Sequence, residues 1–130
     1  MDLPKDTRTF PFESSGDTTL KKYDGDFKVK CVLNMRDKRL LEIEKSSIRA
    51  DMANPTPDLI AYSTILSNLR IRIEDSPEWW EQSSGGYDLK DENTVVELFD
   101  KVMEQETKWR EEVKILSEEG NPDPNPQKES

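Results

Sequence analysis

The stretch DENTVVELFDKVMEQETKWREEVKILSEEG, residues 91–120, decides how the rest of the chain must be arranged. Val95, Phe99, Val102, Trp109, Val113 and Leu116 keep a three-to-four rhythm, interrupted only at Glu106, as in a helix with one apolar side. Thr94 and Glu97 predict a capping box, with Asp91 and Glu92 placing negative charge at the N-terminus. Gly120 is a natural stop. At ~1.5 Å per residue such a helix runs roughly 40 Å, longer than a small core can cover. Its second half, with Trp109, Val113, Ile115 and Leu116, either reaches along the domain or awaits another chain.

Upstream, Thr56 and Pro57 predict the cap and first residue of another helix. Leu59, Tyr62, Leu66, Leu69 and Ile73 give it one apolar stripe, and Pro77 marks its end. Pro55 and Pro57 make residues 51–57 a loop. Residues 37–49 carry Leu40, Leu41, Ile43 and Ile48 among charges, a pattern that fits a helix or a strand. Phe27, Val29, Cys31 and Leu33 alternate with Lys28, Lys30 and, less cleanly, Val32, the period of a half-buried strand. Asp24-Gly25 just before it is a type I′ turn signal, so residues 18–23 are expected to be the partner strand.

The expected fold is therefore α+β and mostly α: an N-terminal β-hairpin packed on a helical hairpin, with a long acidic C-terminal helix. Residues 1–16, punctuated by Pro4, Pro11 and Gly16, read as an irregular N-terminal arm pinned by Phe10 and Phe12. Residues 17–119 form a single domain, and residues 120–130, with prolines at 122, 124 and 126, form a disordered tail.

Composition excludes more than it assigns. Of 130 residues 36% are charged and 32% hydrophobic, so the core must be small. No apolar run approaches the ~20 residues of a membrane helix, and the first residues lack the order of a signal peptide. One cysteine, Cys31, allows no internal disulfide, which suits a reducing cytosol, and its place on the apolar face predicts a buried inert thiol. With no histidine the chain lacks the commonest general base and metal ligand, so no enzyme activity, cofactor or metal is expected. Asp88 with Asp91, and Asp24 with Asp26, do not reproduce a calcium loop. Ser83-Ser84-Gly85-Gly86 lacks the Lys-Ser/Thr that closes a phosphate loop.

Charge is divided unevenly. Residues 1–70 hold 12 basic against 11 acidic side chains, whereas residues 71–130 hold 7 against 17. So acidic a half repels phosphate backbones, so no nucleic-acid partner is expected. It favours solubility or a basic protein surface. The other unusual feature is Ser76-Pro77-Glu78-Trp79-Trp80-Glu81 followed by Gly85-Gly86-Tyr87, an aromatic turn between the two main helices. Such a turn either plugs the end of the helical pair or offers a recognition knob, and Trp79 and Trp80 are expected to divide these roles.

Tyr23-Asp24-Gly25-Asp26-Phe27-Lys28-Val29-Lys30, then Leu69-Arg70-Ile71-Arg72-Ile73-Glu74-Asp75-Ser76-Pro77-Glu78-Trp79-Trp80, then Gly85-Gly86-Tyr87-Asp88-Leu89-Lys90-Asp91-Glu92-Asn93 with an acidic helix behind it, form a recurring kind of order. It resembles small morphogenesis proteins of tailed bacteriophages, above all tail-assembly chaperones, over about residues 20–117. The resemblance carries no catalytic signature and no residue-by-residue site. It implies a protein that holds an aggregation-prone helical client while the tail tube polymerises, in the host cytoplasm or associated with the virion.

Three readings follow. The first is a non-enzymatic chaperone or adaptor whose phage client or structural partner docks on Trp79, Trp80, Tyr87, Trp109, Val113 and Leu116. The second is a structural virion component, from capsid or tail, with the termini as clamping arms. The third is an acidic nucleic-acid mimic displaying Glu97, Asp100, Glu104, Glu111 and Glu118 in a row, with Lys101, Lys108, Arg110 and Lys114 interrupting. No membrane partner is expected; self-association is compatible with all three.

Overall fold

The computed structural model describes residues 2–120. Two strands come first, β1 (Thr7–Ser15) and β2 (Lys22–Lys30), then the helices α1 (Met35–Arg49) and α2 (Pro57–Arg72). A short strand β3 (Ile73–Asp75), a one-turn helix α3 (Glu78–Gln82) and the long α4 (Glu92–Gly120) complete the order. The sheet is antiparallel in the order β1-β2-β3. The fold is α+β and mostly α, with the hairpin at the N-terminal end and the acidic helix at the other, as the sequence predicts.

The hairpin itself is displaced from its expected place. Residues 7–15 are not an irregular arm but the first strand, so the folded unit starts before residue 17. Asp24 and Gly25 lie inside β2 rather than at a turn, and residues 16–21 make the connection, with the Gly16 N–H donating to the Lys21 carbonyl at 2.8 Å. The reason lies in alternation: Phe10, Phe12 and Ser14 are buried while Thr9, Pro11, Glu13 and Ser15 face water, the period of a one-sided sheet. Gly25 stands opposite Phe12 with φ +144°, and a Cβ there would lie 2.4 Å from the Pro77 ring. Its glycine makes room for another segment and does not turn the chain.

Pro11 fits the strand by parity. The Cys31 N–H donates to the Asp6 carbonyl at 2.7 Å, on the same register that pairs Phe10 with Phe27 and Gly16 with Lys21. Hydrogen-bonded pairs alternate along an antiparallel ladder. The even-numbered residues of β1 therefore bond to β2, and the odd-numbered ones, Pro11 among them, turn their backbone groups to the outer edge. A proline there costs no ladder bond and leaves a gap in the edge donors. Pro11→Thr would fill the gap between Thr9 and Glu13. It is expected to bring forward aggregation on heating, read by light scattering; an unchanged onset would mean that the edge is guarded some other way.

Residues 37–49 resolve as helix. The Asn34 side chain accepts from the Asp37 N–H at 2.9 Å, and the Asp37 carboxylate accepts from the Asn34 N–H and from Lys30 Nζ at 2.8 Å. The Lys30 bond outweighs desolvation and holds the Asp37 carboxyl below the usual carboxylate range. α2 opens as expected, with Thr56 Oγ1 accepting from the Leu59 N–H and Pro57 at the first position. It ends at Arg72, earlier than the stripe suggested, because Ile73 leaves the helix to pair with Val29 in the sheet. Leu59, at the start of that stripe, is exposed.

The core joins Phe10, Phe12, Phe27 and Val29 of the sheet to Ile48, Leu66, Leu69, Trp80, Val95, Leu98 and Val102 of the helices. On α4 it is Leu98 rather than Phe99 that is fully enclosed. The expected tail from 121 to 130 lies outside the described residues.

Candidate interaction surfaces

The aromatic turn is built into the fold. Trp80 is 4% exposed, and its ring meets Phe27 and Trp79 edge-on at centroid distances of 6.0 and 6.1 Å. Trp79 packs on Tyr23 at 4.9 Å and Phe27 at 5.7 Å, and its indole N–H donates to the Asp24 carbonyl at 2.7 Å. The two rings do differ in exposure: Trp80 fills the core and half-buried Trp79 packs over it. Gly86 completes the plug, because with φ +85° a Cβ there would lie 2.6 Å from the Trp80 ring. Tyr87, 54% exposed, is the most exposed aromatic of this turn.

Beside this plug sits a buried carboxylate. Asp91 is 0% exposed; Oδ1 accepts from the N–H groups of Thr18 and Thr19 at 2.8 Å each. Oδ2 accepts from the Thr19 hydroxyl and from Tyr23 OH at 2.6 Å. Burial pushes its pKa up, but these bonds together outweigh burial and hold the carboxyl well below the usual range. The same arrangement, with burial first, pushes the Tyr23 phenol up. Asp91 thus bolts the 16–21 connection to the start of α4, and it has no lone pair left for chemistry.

The expected capping box is absent. α4 starts at Glu92, ahead of Thr94, whose buried hydroxyl shares a 3.0 Å hydrogen bond with Ser14. Glu97 instead accepts from Asn93, whose amide also donates to the Ser15 carbonyl. Thr94 and Asn93 are spent on tying helix to sheet.

A second polar tie explains why Glu106 interrupts the apolar stripe. Arg72, 5% exposed, donates to the Cys31 carbonyl at 3.1 Å and to Glu106 Oε1 at 2.8 Å, and Glu106 Oε2 accepts from Arg110 at 3.0 Å. Burial raises the Glu106 carboxyl, but its two arginine partners outweigh that and lower it. Sequence reading missed this pair; the signal was a lone acid in an apolar stripe, which asks for a basic partner elsewhere. Cys31 is fully buried and burial pushes its thiol up, in keeping with an inert side chain.

The far end of α4 is different. The Trp109 indole N–H donates to the Pro4 carbonyl at 3.3 Å, and Glu112 pairs with Arg8. Beyond Glu112, α4 makes no hydrogen bond or ion pair to the rest of the fold among the described residues. Val113 and Leu116 continue the core stripe half-buried, beside a shallow groove of about 400 Å³ lined by Trp109, Arg110, Val113, Lys114, Ser117 and Glu118. The structure therefore brings Trp109, Val113 and Leu116 onto one face. It does not join them to Trp79, Trp80 and Tyr87, which belong to the plug near the start of α4, about 27 Å of helix away.

Among the described residues no helix is long and apolar enough to cross a membrane, and no group of three or more acidic, cysteine or histidine side chains is placed to hold a metal. Compared with known protein families, with curated proteins and with solved structures, the chain matches none.

Proposed function

We propose that this chain is a non-enzymatic protein-binding adaptor of bacteriophage assembly, a tail-assembly chaperone in character, that holds a helical client on the last turns of α4. The observation that carries this reading is the continuation of the core stripe through Val113 and Leu116, past the last bond between α4 and the body. An apolar ridge beside a groove on a solvated helix is what an amphipathic client helix packs against. The excess of acid in residues 71–130 would keep such a complex soluble, and the absence of histidine argues against bond-making chemistry. Placement in the host cytoplasm belongs to the same proposal.

The competing structural role drew on two clamping arms, and residues 7–15 are committed to the sheet. Mimicry of nucleic acid needs carboxylates ordered in a row. Lys101 and Lys108 both come within 3.6 Å of Glu104, so the centre of that row has no net negative charge.

Co-expression with a long helical tail protein is expected to bring that protein into solution only when this chain is present. Val113→Ala and Leu116→Ala are expected to weaken binding of the client about tenfold while the melting temperature moves by no more than ~2 °C. Trp109→Ala should affect both, since its indole also holds Pro4. Unchanged client solubility, or equal losses of binding and stability at Val113 and Leu116, would overturn the proposal.

A further inference from the structure

Two exposed helix faces of opposite charge remain outside everything described so far. On α1, Arg36, Arg39, Leu40 and Ile43 stand three and four residues apart on one side, with Leu40 and Ile43 41% and 49% exposed. Neither arginine has an ion-pair partner among the described residues. Near the end of α4, Ile115 is 51% exposed, with Glu111 one turn before it and Glu118 and Glu119 one turn after. These three acids also have no ion pair among the described residues, whereas Glu112 is engaged by Arg8.

Each patch is therefore an exposed aliphatic centre flanked mainly by charge of one sign, basic on α1 and, with Lys114 set between Glu111 and Glu118, net acidic on α4. Each lies away from its own helix's buried side, which is Ile48 on α1 and Val102 with Trp109 on α4. Within one chain they do not meet.

We infer that the acidic end of α4 in one copy docks on the basic face of α1 in a second copy, Ile115 seating against Leu40 and Ile43 with Glu111 and Glu118 opposite Arg36 and Arg39. The two surfaces are different, so the contact is heterologous and joins copies head to tail into a ring or a chain. Two helix faces bury less than the ~1,200 Å² of a stable interface, so the association is weak and salt-sensitive. It is centred on Ile115, off the ridge of Val113 and Leu116, although Glu118 also lines the groove beside Val113, and it stands whether or not the client reading does.

Sedimentation equilibrium of the full chain tests it. At ~50 mM salt the average mass should rise with concentration toward about 1 mM, and at ~500 mM salt it should stay at one chain. A chain with Arg36→Glu and Arg39→Glu should stay monomeric, as should one with Glu111→Lys and Glu118→Lys. Mixed, these two should associate again and grow beyond one copy of each, because the two unaltered faces match and the two reversed faces also match each other in charge. That mixture excludes poor folding as the cause of either loss. A wild-type mass that never exceeds one chain, single variants that associate like wild type, or a mixture that stays monomeric would each overturn the inference.

Discussion

Asp91→Asn is expected to lower the melting temperature by roughly 10 °C or more, the largest loss from any single polar substitution in this chain. The carboxylate, itself fully buried, takes bonds from two backbone amides and two hydroxyls. An amide side chain offers one acceptor oxygen and puts a donor where the other oxygen had accepted. Some buried donors are then left without partners, which costs more than the bonds themselves contributed. The pH dependence has a definite sign. Asp91 has a lower pKa folded than unfolded, so its contribution is complete above the ordinary carboxylate range and is lost as pH falls through the depressed folded value. Wild type should therefore lose stability on acidification below about pH 4, and the Asn variant should show a flatter profile there. Melting followed by circular dichroism between pH 2 and pH 7 checks both statements. A variant that melts with wild type at neutral pH would show that the connection at 16–21 is held by other means.

Trp80→Ala is expected to cost about 3–5 kcal/mol in urea unfolding, enough to leave a domain of this size barely folded. Its ring touches Phe27 and Trp79 and lies directly over Gly86, so no neighbour can collapse into the space without moving the whole turn. Trp79→Ala should cost less, about 1–3 kcal/mol, because that ring is only half-buried and its N–H can find water once released. Reversal of this order would mean that the seal, rather than the buried ring, sets the stability of the aromatic turn.

Legibility along the sequence followed the length and regularity of each pattern. α4 was readable because a long apolar rhythm over 29 residues leaves few alternatives. α2 was readable at its start, where Thr56 and Pro57 leave local marks, and not at its end. β3 has three residues, too few for any alternation to register. β1 was hidden by Pro4 and Pro11, since a proline in a strand ordinarily argues against it, and only pairing shows that Pro11 lies on the outer edge. The cap expected at Thr94 failed for a related reason. Thr94, like Asp91, has the right chemistry for a local bond and spends it on the hairpin, in this case on Ser14 eighty positions earlier. Of the proposed contact residues, Trp109, Val113 and Leu116 could be grouped from spacing alone. Trp79 and Trp80 could not be placed, because only packing decides which ring is enclosed.

The ties around Asp91 and Trp109 also set an order of events on the ribosome. Thr18 waits 73 positions for Asp91, Ser14 waits 80 for Thr94, and Pro4 waits 105 for Trp109. A hairpin made first in synthesis is thus fastened by a helix made last, a topology of high contact order that closes slowly. Until α4 has left the exit tunnel the nascent chain carries Phe10, Phe12 and Phe27 without the part of their cover that Val95, Leu98 and Val102 supply, and a product truncated before residue 91 never gains it.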